Sequence, residues 1–126
     1  MKEGNGMGYT NFGKTIRKLM IDRDENLGIL AELFDVSTAF VSSVLIGKKP
    51  VPDEWYSKLC DHYNLNEEQK SNLYDEFCDT KNTIKLDISQ VDTGKKKLAL
   101  QFQRKLPDLS EEEWKSISEI LGEEDN

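Results

Sequence analysis

The segment Asn26 to Pro52, NLGILAELFDVSTAFVSSVLIGKKPVP, limits the fold more than any other part of the chain. It reads as two short helices joined by a tight turn and followed by a basic loop. The first runs from Leu27 to Phe34 with Asn26 as N-cap. The second runs from Thr38 to Ile46, with Ser37 as N-cap and Gly47 as the C-terminal stop. Leu30, Ala31, Phe34, Val36, Val41 and Val44 fall where two crossing helices share a small core, and a side chain larger than Ala31 would force them apart. Asp35 takes the turn position that needs a positive φ, which Gly fills by default and Asp tolerates. Together these features form a helix-turn-helix pattern.

From NFGKTIRKLMIDRDE through LAELFDVSTAFVSSVLIGKKPVP to about Tyr63, the chain resembles the phage-repressor family of helix-turn-helix regulators, the Cro/repressor or XRE type. The later stretches YNLNEEQKSNL, IKLDIS and LALQFQRKLPDLSEEE are similar, less specifically, to C-terminal halves of small regulators from prophages and mobile elements. The resemblance implies a bundle of about five helices that binds operator DNA as a homodimer, with the second helix of the motif in the major groove. Carried over by position, Thr38, Ala39, Ser42 and Ser43 face base edges. Lys48 and Lys49 follow the recognition helix where the family holds phosphate, and Asn26 and Phe40 join them at the DNA backbone. The resemblance further implies an ion pair between the first helix and the end of the recognition helix. The matching positions, Met20 and Leu45, are both apolar, so a hydrophobic contact is expected to replace the pair and avoid the desolvation cost of buried charge.

None of the base-facing positions is Arg, Gln or Asn, the residues that make bidentate base contacts. Thr38 and Ala39 suit thymine methyl groups, and Ser42 or Ser43 can make a single hydrogen bond. Operator shape and half-site spacing are therefore expected to carry much of the specificity. The net charge of −7 argues against DNA binding until it is mapped. Residues 7–52 carry six basic and five acidic side chains, whereas residues 53–126 carry ten basic and eighteen acidic ones. The acidity thus belongs to the C-terminal part, and the helix-turn-helix is nearly neutral. Few phosphate contacts imply weak non-specific affinity and reliance on dimerisation.

Beyond Pro52, a helix from Asp53 to Tyr63 carries Trp55, Leu59, Cys60 and Tyr63, and Trp55 reads as core. Asn66 with Gln69 forms a capping box ahead of a helix striped by Leu73, Tyr74 and Phe77. The period then changes. In TIKLDIS, residues 83–89, Ile84, Leu86 and Ile88 alternate with polar side chains, the mark of a strand with one buried face. A lone strand leaves backbone groups unpaired, and the chain shows no second one. Pairing with the same strand of a second copy is expected, ahead of an extended connector. A helical hairpin closes the chain. Leu98, Phe102 and Leu106 stripe its first helix up to Pro107, and a Ser110–Glu113 capping box opens the second, which carries Trp114, Ile117, Ile120 and Leu121. The expected dimer surface is Ile84, Leu86 and Ile88 with Phe102 and Trp114. The chain is thus expected to be mainly α: a five-helix lambda-repressor-like bundle, a short strand and a helical hairpin. The expected divisions are a flexible lead 1–8, a DNA-binding domain 9–79, a dimerisation extension 80–122 and a frayed tail 123–126.

No catalytic constellation, cofactor motif or metal-ligand spacing is present in the sequence, so an enzyme is not expected. Cys60 and Cys78 lie outside any CxxC pattern and read as buried, reduced thiols. His62 reads as a helix-surface or core-edge residue. No apolar run reaches membrane-span length and MKEGNGMGY lacks a signal core, so a cytoplasmic location is expected. The expected function is a repressor or autoregulator of prophage or mobile-element origin, binding an inverted-repeat operator in double-stranded DNA. The alternative is a protein-interaction module, an antitoxin or phage-encoded inhibitor, that binds a protein partner through the acidic C-terminal half.

Overall fold

The computed structural model describes residues 8–122. Residues 1–7 of the expected lead and the expected tail 123–126 lie outside the described residues. The protein is mainly helical. Its α-helices are α1 (Asn11–Asp22), α2 (Leu27–Phe34), α3 (Thr38–Leu45), α4 (Trp55–His62), α5 (Glu67–Asp79), α6 (Thr93–Lys105) and α7 (Glu111–Leu121), with a 3-10 turn at Leu106–Asp108 between the last two. The chain divides into two compact units, one through Ile84 and one from Lys85 onward.

The core of the first unit follows from helical spacing. Phe12, Ile16 and Met20 recur every four residues on α1 and are wholly buried. Leu30, Ala31 and Phe34 face them from α2, and Val41, Val44 and Leu45 from α3. Val36, in the turn, is only partly covered. Trp55 stacks face to face on Phe34, with ring centroids 4.0 Å apart and planes 6° from parallel. Met20 and Leu45 belong to this same apolar cluster, so the two positions are filled without charge.

The helix ends are fixed locally. Thr10 caps α1 by accepting from Gly13 N, and Ser37 caps α3 by accepting from Phe40 N. Capping boxes close Asn66 with Gln69 at α5 and Ser110 with Glu113 at α7. Asp24, Asp35 and Asn64 have positive φ in the connections. All are short polar residues, the non-glycine types that tolerate that region best. Gly13 permits a close helix crossing, because a Cβ there would run into the backbone of Leu45. The Leu45 carbonyl at that crossing accepts from both Thr10 N (3.2 Å) and Thr10 Oγ1 (3.4 Å).

Two expectations are corrected. No strand occurs among the described residues: 83–88 has no regular secondary structure, and residues 89–90 turn into α6. Ile84 and Leu86 are 74% and 61% exposed. The cause is the one the sequence raised, since a single extended segment has no ladder to join within its own chain. Cys60 is buried as expected, but Cys78 is exposed. It lies on α5, whose one buried residue is Leu73.

The second unit has a different character. Asp87 Oδ1 accepts from Ser89 N and Ser89 Oγ, and these bonds hold its carboxyl below the usual carboxylate range. Asp92 caps α6 by accepting from Lys95 N. No side chain of α6 or α7 is buried. The two helices meet where Phe102 and Trp114 pack edge to face, 6.3 Å between centroids.

Candidate nucleic-acid interface

The turn between α2 and α3 is short, and its geometry is set by one residue. Asp35 sits at φ 56°, ψ 49°, and Val36 N donates back to the Ala31 carbonyl at 2.9 Å. This left-handed closure ends α2 and swings the chain so that α3 lies at 103° to it. Apolar side chains of both helices point into the shared core. The first turn of α3 is therefore presented outward, with Thr38 and Ala39 exposed.

The remaining candidate residues are placed less uniformly. Ser42 and Ser43 are only half-exposed. Phe40 is half-buried and packs edge-on against Trp55, centroids 6.0 Å apart, so much of its ring belongs to the core edge. Asn26 is exposed and precedes α2, but its side chain makes no capping bond to that helix. Thr38, Ala39, Ser42 and Ser43 lie together on α3. Asn26 and Phe40 belong to different helix starts.

Lys48 and Lys49 are exposed, yet their backbone is not loose. Both of their N–H groups donate to the Ser43 carbonyl, at 2.9 and 3.2 Å. Gly47, at φ 83°, makes that reversal accessible. The far end of the loop is fixed by Lys81, whose Nζ donates to the Val51 carbonyl and to Asp53 Oδ1, each at 2.6 Å, and lies 4.8 Å from the Phe77 ring centroid. The loop carrying the two lysines is thus tied to α3 at one end and to the region after α5 at the other. No local pattern marks this role for Lys81, because its partners lie 28 and 30 residues away.

A second tie holds the entry to α2. Tyr63 OH donates to Glu25 Oε1 at 2.8 Å, and His62 Nε2 donates to Glu25 Oε2 at 2.9 Å. Arg23 donates to the His62 carbonyl at 3.0 Å and lies over the Tyr63 ring. Burial first, and then the bond to Glu25, push the Tyr63 hydroxyl far above its usual range. These contacts fix the α1–α2 connection against the end of α4. His62 is thus a core-edge residue with a defined partner. No local pattern links Glu25 to His62 and Tyr63, so the cluster was invisible in the sequence.

The expected association residues are not brought into one buried surface. Ile84 and Leu86 are exposed and Ile88 is half-buried, while Phe102 and Trp114 touch each other. Among the described residues no group of His, Cys, Asp and Glu could hold a metal ion, and no single helix is long and apolar enough to cross a membrane. No family model, no curated protein and no solved structure matches the chain.

Proposed function

We propose that the chain is a transcriptional regulator of the XRE type that binds an inverted-repeat operator in double-stranded DNA as a homodimer, with α3 as its recognition helix. The observation that carries this reading is the 103° crossing of α2 and α3 around Asp35. It lies in the range of helix-turn-helix pairs and projects the start of α3 away from the core. Thr38 and Ala39 then offer methyl groups to thymine, and Ser42 and Ser43 offer hydroxyls at shallower exposure. Lys48 and Lys49, on a loop tied at both ends, hold phosphates, and the α2 start at Asn26 lies beside the same backbone. Dimerisation runs through antiparallel pairing of residues 83–89 from two copies, giving the exposed Ile84 and Leu86 a covered face.

Selection from random duplexes, followed by anisotropy titration of the enriched site, tests the reading. An inverted repeat with half-sites about one helical turn apart is expected. Lys48→Glu with Lys49→Glu should weaken all duplexes alike and lower the salt slope by about 2. Thr38→Ala should shift sequence preference more than overall affinity. No enrichment, or full affinity in the double lysine variant at moderate salt, would refute the assignment.

A further inference from the structure

The second unit has well-capped helices and, among the described residues, no buried side chain. At about 40 residues it stands at the size where a chain needs a disulfide, a metal or another subunit to stay folded. Both cysteines, Cys60 and Cys78, lie in the first unit, so no disulfide can serve here. Leu98 and Phe102 on α6, continued by Leu106 at its C-cap, form one stripe, and Trp114, Ile117 and Leu121 form another on α7. Leu98 and Leu121 are 64% and 72% exposed. The Phe102–Trp114 contact and a half-buried Ile117 leave Leu98 and Leu121, at the ends away from the turn, uncovered.

Charge identifies what covers the rest. Helix α6 carries five basic side chains, Lys95, Lys96, Lys97, Arg104 and Lys105, and no acidic one. Helix α7 carries Glu111, Glu112, Glu113 and Glu119 against a single Lys115. Packing α6 on a second α6 would bring together two wholly basic helices. Packing α6 on a second α7 matches both apolar stripe and charge. Resting on the homodimer reading, we propose that the hairpins of two copies form a four-helix bundle in which α6 of each copy lies against α7 of the other. The helices then alternate basic and acidic around the bundle, and all neighbours run antiparallel. Arg104 and Lys105 meet the acidic start of the partner helix, and Lys95 to Lys97 meet the turn that carries Glu119. The arrangement is isologous and closes, so it stops at two copies.

Two full-length variants test this by sedimentation without DNA. The first carries Lys95→Glu, Lys96→Glu and Lys97→Glu, placing acids in the first turn of α6, where the helix dipole favours them. The second carries Glu112→Lys and Glu119→Lys, leaving the Ser110–Glu113 capping box intact. Circular dichroism verifies that each keeps its helix content. Each alone should self-associate about tenfold more weakly than the wild type near 0.1 M salt, and their equimolar mixture should recover much of that loss, because the pairs across copies are again of opposite charge while those within each hairpin are not. Three outcomes overturn the proposal: each variant dimerises like the wild type, the mixture fails to recover, or the first variant associates best with the wild type, as α6–α6 packing requires. A wild type that stays monomeric at tens of micromolar overturns it as well. Operator binding measured on the same samples separates the two readings. Association that follows the expected pattern with no DNA preference sinks only the regulator assignment, and sequence-specific binding without the pattern sinks only the bundle.

Discussion

At the level of single residues, the first unit depends on keeping charge out of one crossing. Leu45 is buried at the end of α3, in the same cluster as Met20. Leu45→Glu would place a carboxylate inside this apolar cluster, and should destabilise the fold by about 3–5 kcal/mol, read as a lowered urea midpoint. Unchanged stability would mean that Leu45 does not carry the crossing. Two tyrosines add a pH dependence on the alkaline side. Burial first, and then a bond with Cys60, push the Tyr56 hydroxyl from 10.0 to about 12, and Tyr63 moves in the same direction. Below pH 10 both states of the chain hold the proton and stability does not depend on these groups. Above it the unfolded chain ionises first and gains free energy, so stability should fall as pH rises from 10.0 through about 12. Urea midpoints between pH 8 and 11 should show a steeper alkaline fall in the wild type than in a Tyr56→Phe, Tyr63→Phe variant. Equal slopes would remove these groups from the explanation.

Among the elements, the crossing of α1 and α3 is the most demanding. Gly13 allows it, since a Cβ would press on the Leu45 backbone, which cannot swing aside as a side-chain tip can. Gly13→Ala raises intrinsic helix propensity, yet it should lower stability by about 1–3 kcal/mol because the steric cost outweighs the propensity gain. A thermal melt unchanged or raised in this variant would show that the helices separate freely. Gly13 also marks a limit of the sequence reading. The α2–α3 pair was legible because its signals are local: Ser37 before the helix, Asp35 where φ must be positive, Gly47 after the end. The capping boxes at Asn66 and Ser110 were legible for the same reason. Gly13, Lys81 and the Glu25–His62–Tyr63 cluster depend on residues brought close by tertiary packing, and nothing next to them in the chain reports the partner. The alternation in residues 83–89 was genuine as a pattern, but periodicity gives a preferred face and cannot supply a neighbouring strand. The expected site divides along the same line. The start of α3 and the Lys48–Lys49 loop are exposed, whereas Phe40 turns toward Trp55, a ring fifteen residues on that helical spacing alone does not reach.

On the scale of the whole molecule, charge and association work together. A nearly neutral helix-turn-helix and a strongly acidic C-terminal part offer little general attraction to DNA, so one copy on one half-site should bind weakly. In the proposed regulator, two copies joined outside the first unit would raise the effective concentration of the second α3 at its half-site, and affinity would then depend on the spacing of the pair. The proposed regulator therefore needs its association surface as much as its recognition helix. Leu86 is 61% exposed and lies midway along the alternating segment, so its substitution should leave the core of the first unit intact. Leu86→Lys should shift the protein toward monomer, abolish cooperative binding to the inverted repeat and keep the residual affinity for an isolated half-site. The melting transition of the first unit should stay where it is. Sedimentation across a concentration series, paired with titrations of whole and half operators, measures all three. A variant that still binds the inverted repeat cooperatively would show that residues 83–89 take no part in joining the two copies.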